Sequence, residues 1–376
     1  MNKHFSLYLD LMRFSAAVLV LVLHYIQNGI VNAHMAAFLP ELGREAVMVF
    51  FVLSGFVIAY STEVNRQSVK QYAVARAARI YSVALPLLLA AFLIVFVVKS
   101  ITPEALPDVY QLDRAYLYLP FHLLFMGELW QLAELPPWLE QYWSLSYEVW
   151  YYILFAAVYY SSGVRRIFFG GIVFLIIGYK LWLLLPVWLS GVCLYHWQKK
   201  FEMPVVLARF GWLLTVGVLI VYKVFDLDIL LRAAGTEIWP FESLKLGSAD
   251  RYLADYVICV LVCCNFMFAL HAKFAVLQNA GGTIRALSSH TFTLYLVHWL
   301  VIALWLQVYP HDASSVLDIT ALTVTIVLVT YATGFITERQ SAFFKTLFEK
   351  LYDAVASSLS RMTLMLKDLM KRVRPS

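Results

Sequence analysis

Residues 7–27 read LYLDLMRFSAAVLVLVLHYIQ. At 1.5 Å per residue this apolar stretch is long enough to cross the roughly 30 Å hydrocarbon core of a bilayer as one helix. It carries Asp10, Arg13 and His24, groups that a bilayer tolerates only where they turn toward protein or water. Asp10, Arg13, Ala17, Val20 and His24 follow one another at three- and four-residue steps. The interval from Arg13 to His24 turns a helix by about 1100°, which returns both side chains to within about 20° of one face. A single stripe thus joins an arginine toward one side of the membrane to a histidine about 16 Å further along. With those charges and no small-residue cleavage site, the segment reads as a retained span and not a cleaved signal peptide.

The rest of the chain agrees. Its 376 residues are 62% hydrophobic and only 14% charged, with mean hydropathy +0.73, whereas soluble domains are nearer a quarter charged. The expected fold class is an all-α integral membrane protein with about ten crossings at about 20 residues each, which leaves no room for a large soluble catalytic module. Spans are expected near 7–27, 46–61, 80–98, 143–161, 166–179, 181–197, 205–223, 253–272, 290–309 and 317–337. The second and fifth are short enough to be tilted, re-entrant or locally thinned. With the N-terminus in the cytoplasm, 20 of the 29 Lys and Arg residues fall on the inner side and seven outside. This obeys the positive-inside rule and puts both termini in the cytoplasm. The net charge of +5 is then topological, and no nucleic-acid partner is expected.

Two units follow: a polytopic domain over 1–338 and a basic cytoplasmic tail over 339–376. The tail places Phe343, Leu347, Leu351, Val355, Leu359, Met362, Leu366, Leu369 and Val373 at helical spacing among basic residues, as an amphipathic helix on an anionic leaflet would. Two outer loops, 99–142 and 224–252, are rich in Trp, Pro and acidic residues and suit the roof of a cavity. All four cysteines fall in apolar runs. They read as small buried side chains, and no metal site is expected.

Further polar groups stand where lipid would reject them. Glu148 lies in WSLSYEVWYY, residues 143–152, which opens the fourth span from the outside. Its expected depth matches that of His24, so a carboxylate and an imidazole share one cavity, the arrangement of general-base chemistry near neutral pH. The plainer alternative is a carboxylate bonded to interfacial serines and tyrosines. Arg76 and Arg79 stand at i and i+3 on a helix entering from the cytoplasm. They suit bidentate phosphate binding, or simple positive-inside anchoring. Ser54-Gly55 puts a small step at mid-membrane, where small residues also serve helix packing. Tyr295 and His298 stand one turn apart in the ninth span, where His298 is a second polar wall of the cavity or a packed histidine hydrogen-bonded to a neighbouring helix.

Five segments in order resemble the acyltransferase 3 family of integral membrane acyltransferases. They are Leu9-Asp10-Leu11-Met12-Arg13-Phe14 with His24-Tyr25, residues 49–56 (VFFVLSGF), residues 76–81 (RAARIY), residues 143–148 (WSLSYE) and residues 293–299 (TLYLVHW). The resemblance covers residues 7 to about 340. It implies that Arg13, His24, Arg76, Arg79 and Glu148 occupy the positions tied to activity. By resemblance, the protein takes an acyl group, commonly acetyl, from cytoplasmic acyl-CoA and places it on a hydroxyl of a cell-surface or lipid-linked carbohydrate, in a bacterial cytoplasmic membrane. The chain departs from the family pattern at Phe14-Ser15, at Tyr81-Ser82 and at Tyr147, leaving the charged positions intact. The tail is too short to hold the soluble esterase-like domain that some relatives append.

On this reading His24 is the catalytic base or an acylated nucleophile, and Glu148 orients its ring. Arg13, Arg76 and Arg79 hold the donor phosphates, and Asp10, Ser54, Trp143, Tyr147, Tyr295 and His298 line the substrate cavity. The competing class is a glycolipid or proton-coupled transporter, in which intramembrane Asp, Arg, His and Glu are equally at home.

Overall fold

The first span begins where the Asn2 side chain accepts the His4 amide at 3.0 Å, a local cap that satisfies a donor left free at a helix start. The computed structural model describes residues 2–102, 109–337 and 340–373, with side chains described up to residue 358 and at Arg361 and Met365. The described residues form helices and no strand. In order they are α1 (Lys3–Gln27), α2 (Ala33–Ala36), α3 (Gly43–Val64), α4 (Val69–Ile101), α5 (Tyr110–Asp113), α6 (Ala115–Leu123), α7 (Tyr142–Tyr159) and α8 (Gly163–Ile177). There follow α9 (Tyr179–Trp197), α10 (Val205–Val224), α11 (Leu227–Ile238), α12 (Tyr252–Ala272), α13 (Gly281–Ser289), α14 (Thr291–Val308), α15 (Val316–Thr337) and α16 (Ser341–Val373).

Seven of these, α1, α3, α4, α10, α12, α14 and α15, are long and apolar enough to cross a membrane. The chain is a multi-pass helical membrane protein. The residues of the other three expected spans form helices α7, α8 and α9, which fall short of that length and apolarity. The 15 residues of α8 reach only about 22 Å, and the Ser144, Ser146 and Glu148 side chains dilute the hydropathy of α7. The span expected to be short at 46–61 is instead the 22-residue α3. Its extra turns carry Glu45 and Thr62, polar side chains that hydropathy discounts and the bundle buries.

Helix α4 starts from a reciprocal cap, in which Ser68 accepts the Gln71 amide and the Gln71 side chain accepts the Ser68 amide. It runs unbroken for 33 residues, so Arg76 and Arg79 ride on a rigid element. Between α8 and α9, Gly178 adopts φ 79° and ψ 176°, a conformation only glycine takes readily, and a Cβ there would also meet the Trp130 backbone at 2.8 Å. This kink separates two helices that a continuous apolar run would otherwise fuse.

The centre of the bundle is α3: 61% of its most apolar window is buried in protein, against 22% for α10 and α15. It packs closest on α9 through a glycine pair. A Cβ on Gly55 would fall 2.1 Å from the Trp188 carbonyl oxygen, and one on Gly191 would fall 1.9 Å from that of Val52. The Ser54-Gly55 step therefore serves packing through its glycine, while its serine faces the site described below.

Helix α16 does not stand apart from the bundle. Lys70 pairs with Asp353 at 2.7 Å, and Phe348 meets the Tyr81 ring at 5.4 Å, so α16 lies along α4. Phe343, Leu347, Leu351 and Val355 are exposed on its outer side; the side chains of Leu359, Met362, Leu366, Leu369 and Val373 lie outside those described. Among the cysteines only Cys259 is buried. The expectation of four buried thiols fails because Cys193 and Cys264 sit on outward faces of their helices, where lipid-compatible and core-compatible residues look alike in sequence.

Candidate functional site

Three neighbouring cavities that share lining residues lie among α1, α3, α4, α7 and α14. The first, about 770 Å³, opens beside the N-terminal part of α1. Among the described residues its walls hold Arg13 from α1, Arg76 and Arg79 from α4, Arg285 from α13 and Lys345 from α16, against the single carboxylate of Asp10. Arg13 pairs loosely with Asp10 at 3.4 Å. The Nε of Arg76 is buried and has no hydrogen-bond partner among the described residues, and its guanidinium stands 6.0 Å from the Tyr152 ring. Four guanidinia and an ammonium around one acid make this mouth strongly cationic.

The second cavity is a narrow passage of about 80 Å³ that shares Arg13, Arg76, Arg79, Thr291 and Phe292 with the first. Ser54 and Glu148 meet here. Glu148 Oε1 accepts the Ser54 hydroxyl at 2.6 Å and the Tyr152 hydroxyl, while Trp188 Nε1 donates to Ser54 Oγ at 3.2 Å. Tyr295, bonded to Ser144 at 2.6 Å, lines the far end.

The third cavity, about 520 Å³, shares Val47 and Tyr295 with the passage and contains His24. It is roofed by the two expected loops, which contribute Glu128, Glu140 and Gln141 from one and Asp228, Arg232, Ser248, Asp250 and Arg251 from the other. Its cations are paired. Arg251 meets Glu45 at 2.8 Å and Asp228 at 3.4 Å, Lys223 meets Asp228 at 2.7 Å, and Arg44 meets Asp255 at 3.1 Å. Lys180 and Glu128 form a fully buried pair at 2.7 Å. Burial alone would raise the Asp228 carboxyl, yet the bonded Lys223 ammonium and Arg251 hold it below the usual carboxylate range. Glu140 has no such cation, and burial pushes it up. Trp143 lines this chamber beneath the Arg44 guanidinium, 4.5 Å from its ring centre. The result is a polar chamber close to charge balance, unlike the cationic mouth.

His24 and Glu148, expected in one cavity, line different ones. His24 Nδ1 lies 2.7 Å from His298 Nε2, and its ring packs at a steep angle on Trp299 with the ring centres 4.6 Å apart. Its ring is therefore oriented by a second histidine and not by Glu148, whose bonded oxygen is taken by Ser54 and Tyr152. The reason is stagger: Glu148 lies about 7.5 Å into α7 from Trp143, level with Ser54 and the arginines. Two expected wall residues are also not walls. Tyr147 is fully buried, bonded to Ser248 at 2.8 Å, because its position one residue before Glu148 turns it about 100° away. His298 is fully buried behind His24. Sequence reasoning missed Arg285 and Lys345, which look like ordinary anchoring charges, and Tyr152, whose i+4 spacing from Glu148 was legible.

The family model described as an acyltransferase domain matches residues 6–335. No curated protein and no solved structure matches the chain significantly.

Proposed function

This chain belongs to the acyltransferase 3 family, and we propose that it moves an acyl group, acetyl by first choice, from cytoplasmic acyl-CoA to a hydroxyl of a carbohydrate or glycolipid on the outer side of a bacterial cytoplasmic membrane. The observation that carries this reading is the pairing of unlike chambers. A cationic mouth with an unsatisfied Arg76 donor adjoins, through a narrow passage, a charge-balanced chamber containing a histidine. Guanidinium forks suit the phosphates of a CoA ester, and the passage suits its slender pantetheine arm. A chamber whose cations are already spoken for favours a neutral polyhydroxyl ligand over an anion, with Trp143 as an apolar surface for a sugar ring.

The positive-inside split and the mouth's position beside the N-terminus of α1 support ten spans with both termini in the cytoplasm and the mouth facing inward. In the reaction, His24 takes the acceptor's hydroxyl proton as that oxygen attacks the thioester carbonyl carbon. The C–S bond breaks, and the departing thiolate recovers the proton to leave as free CoA. Glu148 serves the wall of the passage through Ser54 and Tyr152. Arg285 and Lys345 join Arg13, Arg76 and Arg79 in holding the donor.

Purified protein mixed with radiolabelled acetyl-CoA tests the reading. Binding or slow hydrolysis is expected of an acyltransferase. Failure to bind or consume acetyl-CoA, with transport of a glycolipid in vesicles, would establish the transporter class instead.

A further inference from the structure

The two nitrogens of a histidine differ, and which one carries the proton is set by what the other bonds. We infer that His298 is a positioning residue that fixes His24 in the single tautomer able to act as base. The inference rests on the acyltransferase reading above.

It follows from three contacts taken in order. His298 is fully buried, and its Nδ1 lies 2.8 Å from the Leu294 carbonyl oxygen one turn back on α14. A carbonyl only accepts, so Nδ1 carries hydrogen and donates. In the neutral ring Nε2 is then a bare lone pair. That lone pair faces His24 Nδ1 at 2.7 Å, so His24 Nδ1 carries hydrogen and donates to it. The remaining lone pair of His24 is consequently on Nε2.

Nothing in the fold consumes that lone pair. Among the described residues His24 Nε2 has no hydrogen-bond partner, and it is not one of the sealed polar atoms of the structure. His24 itself lines the chamber proposed for the acceptor. The backbone of α14 thus dictates the state of an atom on α1 through two hydrogen bonds. The Trp299 ring, its centre 4.6 Å from that of His24, packs against the imidazole with no hydrogen bond to it among the described residues.

Without His298, His24 has no acceptor for its Nδ1 hydrogen, and the ring is free to rotate and to place hydrogen on Nε2, where it cannot accept a proton. Loss of a tautomer-fixing partner lowers kcat by up to about 10⁴-fold in the well-known serine protease case. Here the partner is neutral, and a drop of about 10²-fold is expected. The donor KM should hold within about twofold, since the arginine mouth is untouched.

The test measures kcat and KM for acetyl-CoA hydrolysis and for acetyl transfer to octyl glucoside in three proteins: wild type, His298→Phe and His298→Gln. Phenylalanine fills the space without accepting a hydrogen bond. Glutamine accepts from His24 Nδ1 through Oε1 and donates from its amide to the Leu294 carbonyl, reproducing both bonds. Thermal melting confirms that each variant is folded. The expected result is a loss of about 10²-fold in kcat for His298→Phe and recovery to within about tenfold of wild type for His298→Gln. Equal losses in the two variants, or a His298→Phe change confined to KM, make His298 merely structural and overturn the inference alone. An inactive wild type overturns the acyltransferase reading and the inference with it.

Discussion

Replacing Gly191 by alanine adds one methyl group at the tightest point of the bundle. The new Cβ would stand 1.9 Å from the Val52 carbonyl oxygen and 2.8 Å from the Phe56 backbone nitrogen. Both are main-chain atoms of α3, so no side chain can swing aside. Ordinary contact begins near 3.4 Å, and α3 and α9 must therefore separate locally by about 1.5 Å. Overpacking of this kind costs about 1–3 kcal/mol. The separation also carries the 3.2 Å bond from Trp188 to Ser54 beyond hydrogen-bond reach, for about 1 kcal/mol more. Better helix propensity returns at most about 1 kcal/mol. Because Ser54 holds Glu148, the passage shifts too, and a misplacement near 1 Å costs about 10²-fold in rate. Gly171→Ala, where a Cβ meets nothing within 4 Å, is the matched control. Detergent-solubilised Gly191→Ala should melt several degrees below wild type and lose most acetyl-CoA turnover, while Gly171→Ala melts at or above wild type. A Gly191→Ala protein that melts and turns over like wild type would refute this account of the packing.

Lys180→Met strips from the buried Glu128 carboxylate the one cation it pairs with among the described residues; a destabilisation of about 3–5 kcal/mol is expected, largely recovered in the Lys180→Met, Glu128→Gln double variant, as read by thermal melting. Arg79→Ala should raise the KM for acetyl-CoA by about 10–100-fold, the worth of one charge-assisted bond of about 1.5–3 kcal/mol, with kcat little changed; an unchanged KM removes Arg79 from donor binding. Burial in α6 pushes the His122 imidazole down to about 4, so the fold prefers it neutral. Its contribution is complete above about pH 6.5 and is lost as pH falls from there toward 4. The melting temperature should drop over that window, and His122→Gln, which keeps a partner for Gln111, should flatten the drop.

Much of this was legible in the chain. Hydropathy located the helices because lipid imposes one length and one polarity on each span, and the Asp10–Arg13–His24 stripe needed only the helical period. Three-dimensional stagger was not legible. His24 lies near the C-terminal end of α1 and Glu148 in the N-terminal part of α7, which suggested one depth, yet α7 is set so that Glu148 meets Ser54. The His24–His298 contact joins residues 274 positions apart, and no local pattern marks such a pair. Gly55 could be read as a packing residue, but its counterpart Gly191 emerges only when α3 and α9 are side by side. Arg285 and Lys345 hid among anchoring charges, since one sequence pattern serves both lipid headgroups and a bound phosphate.

The most direct test of acyl passage from the arginine mouth to His24 uses sealed vesicles of one orientation, with labelled acetyl-CoA supplied only on the side of the chain termini. Label should appear on carbohydrate at the opposite face with wild-type protein. With folded His24→Ala it should fall below a tenth of that level, in keeping with the roughly 10²–10⁴-fold contribution of a general base. Undiminished transfer by the His24→Ala protein, or label recovered only on the donor side, would contradict the account.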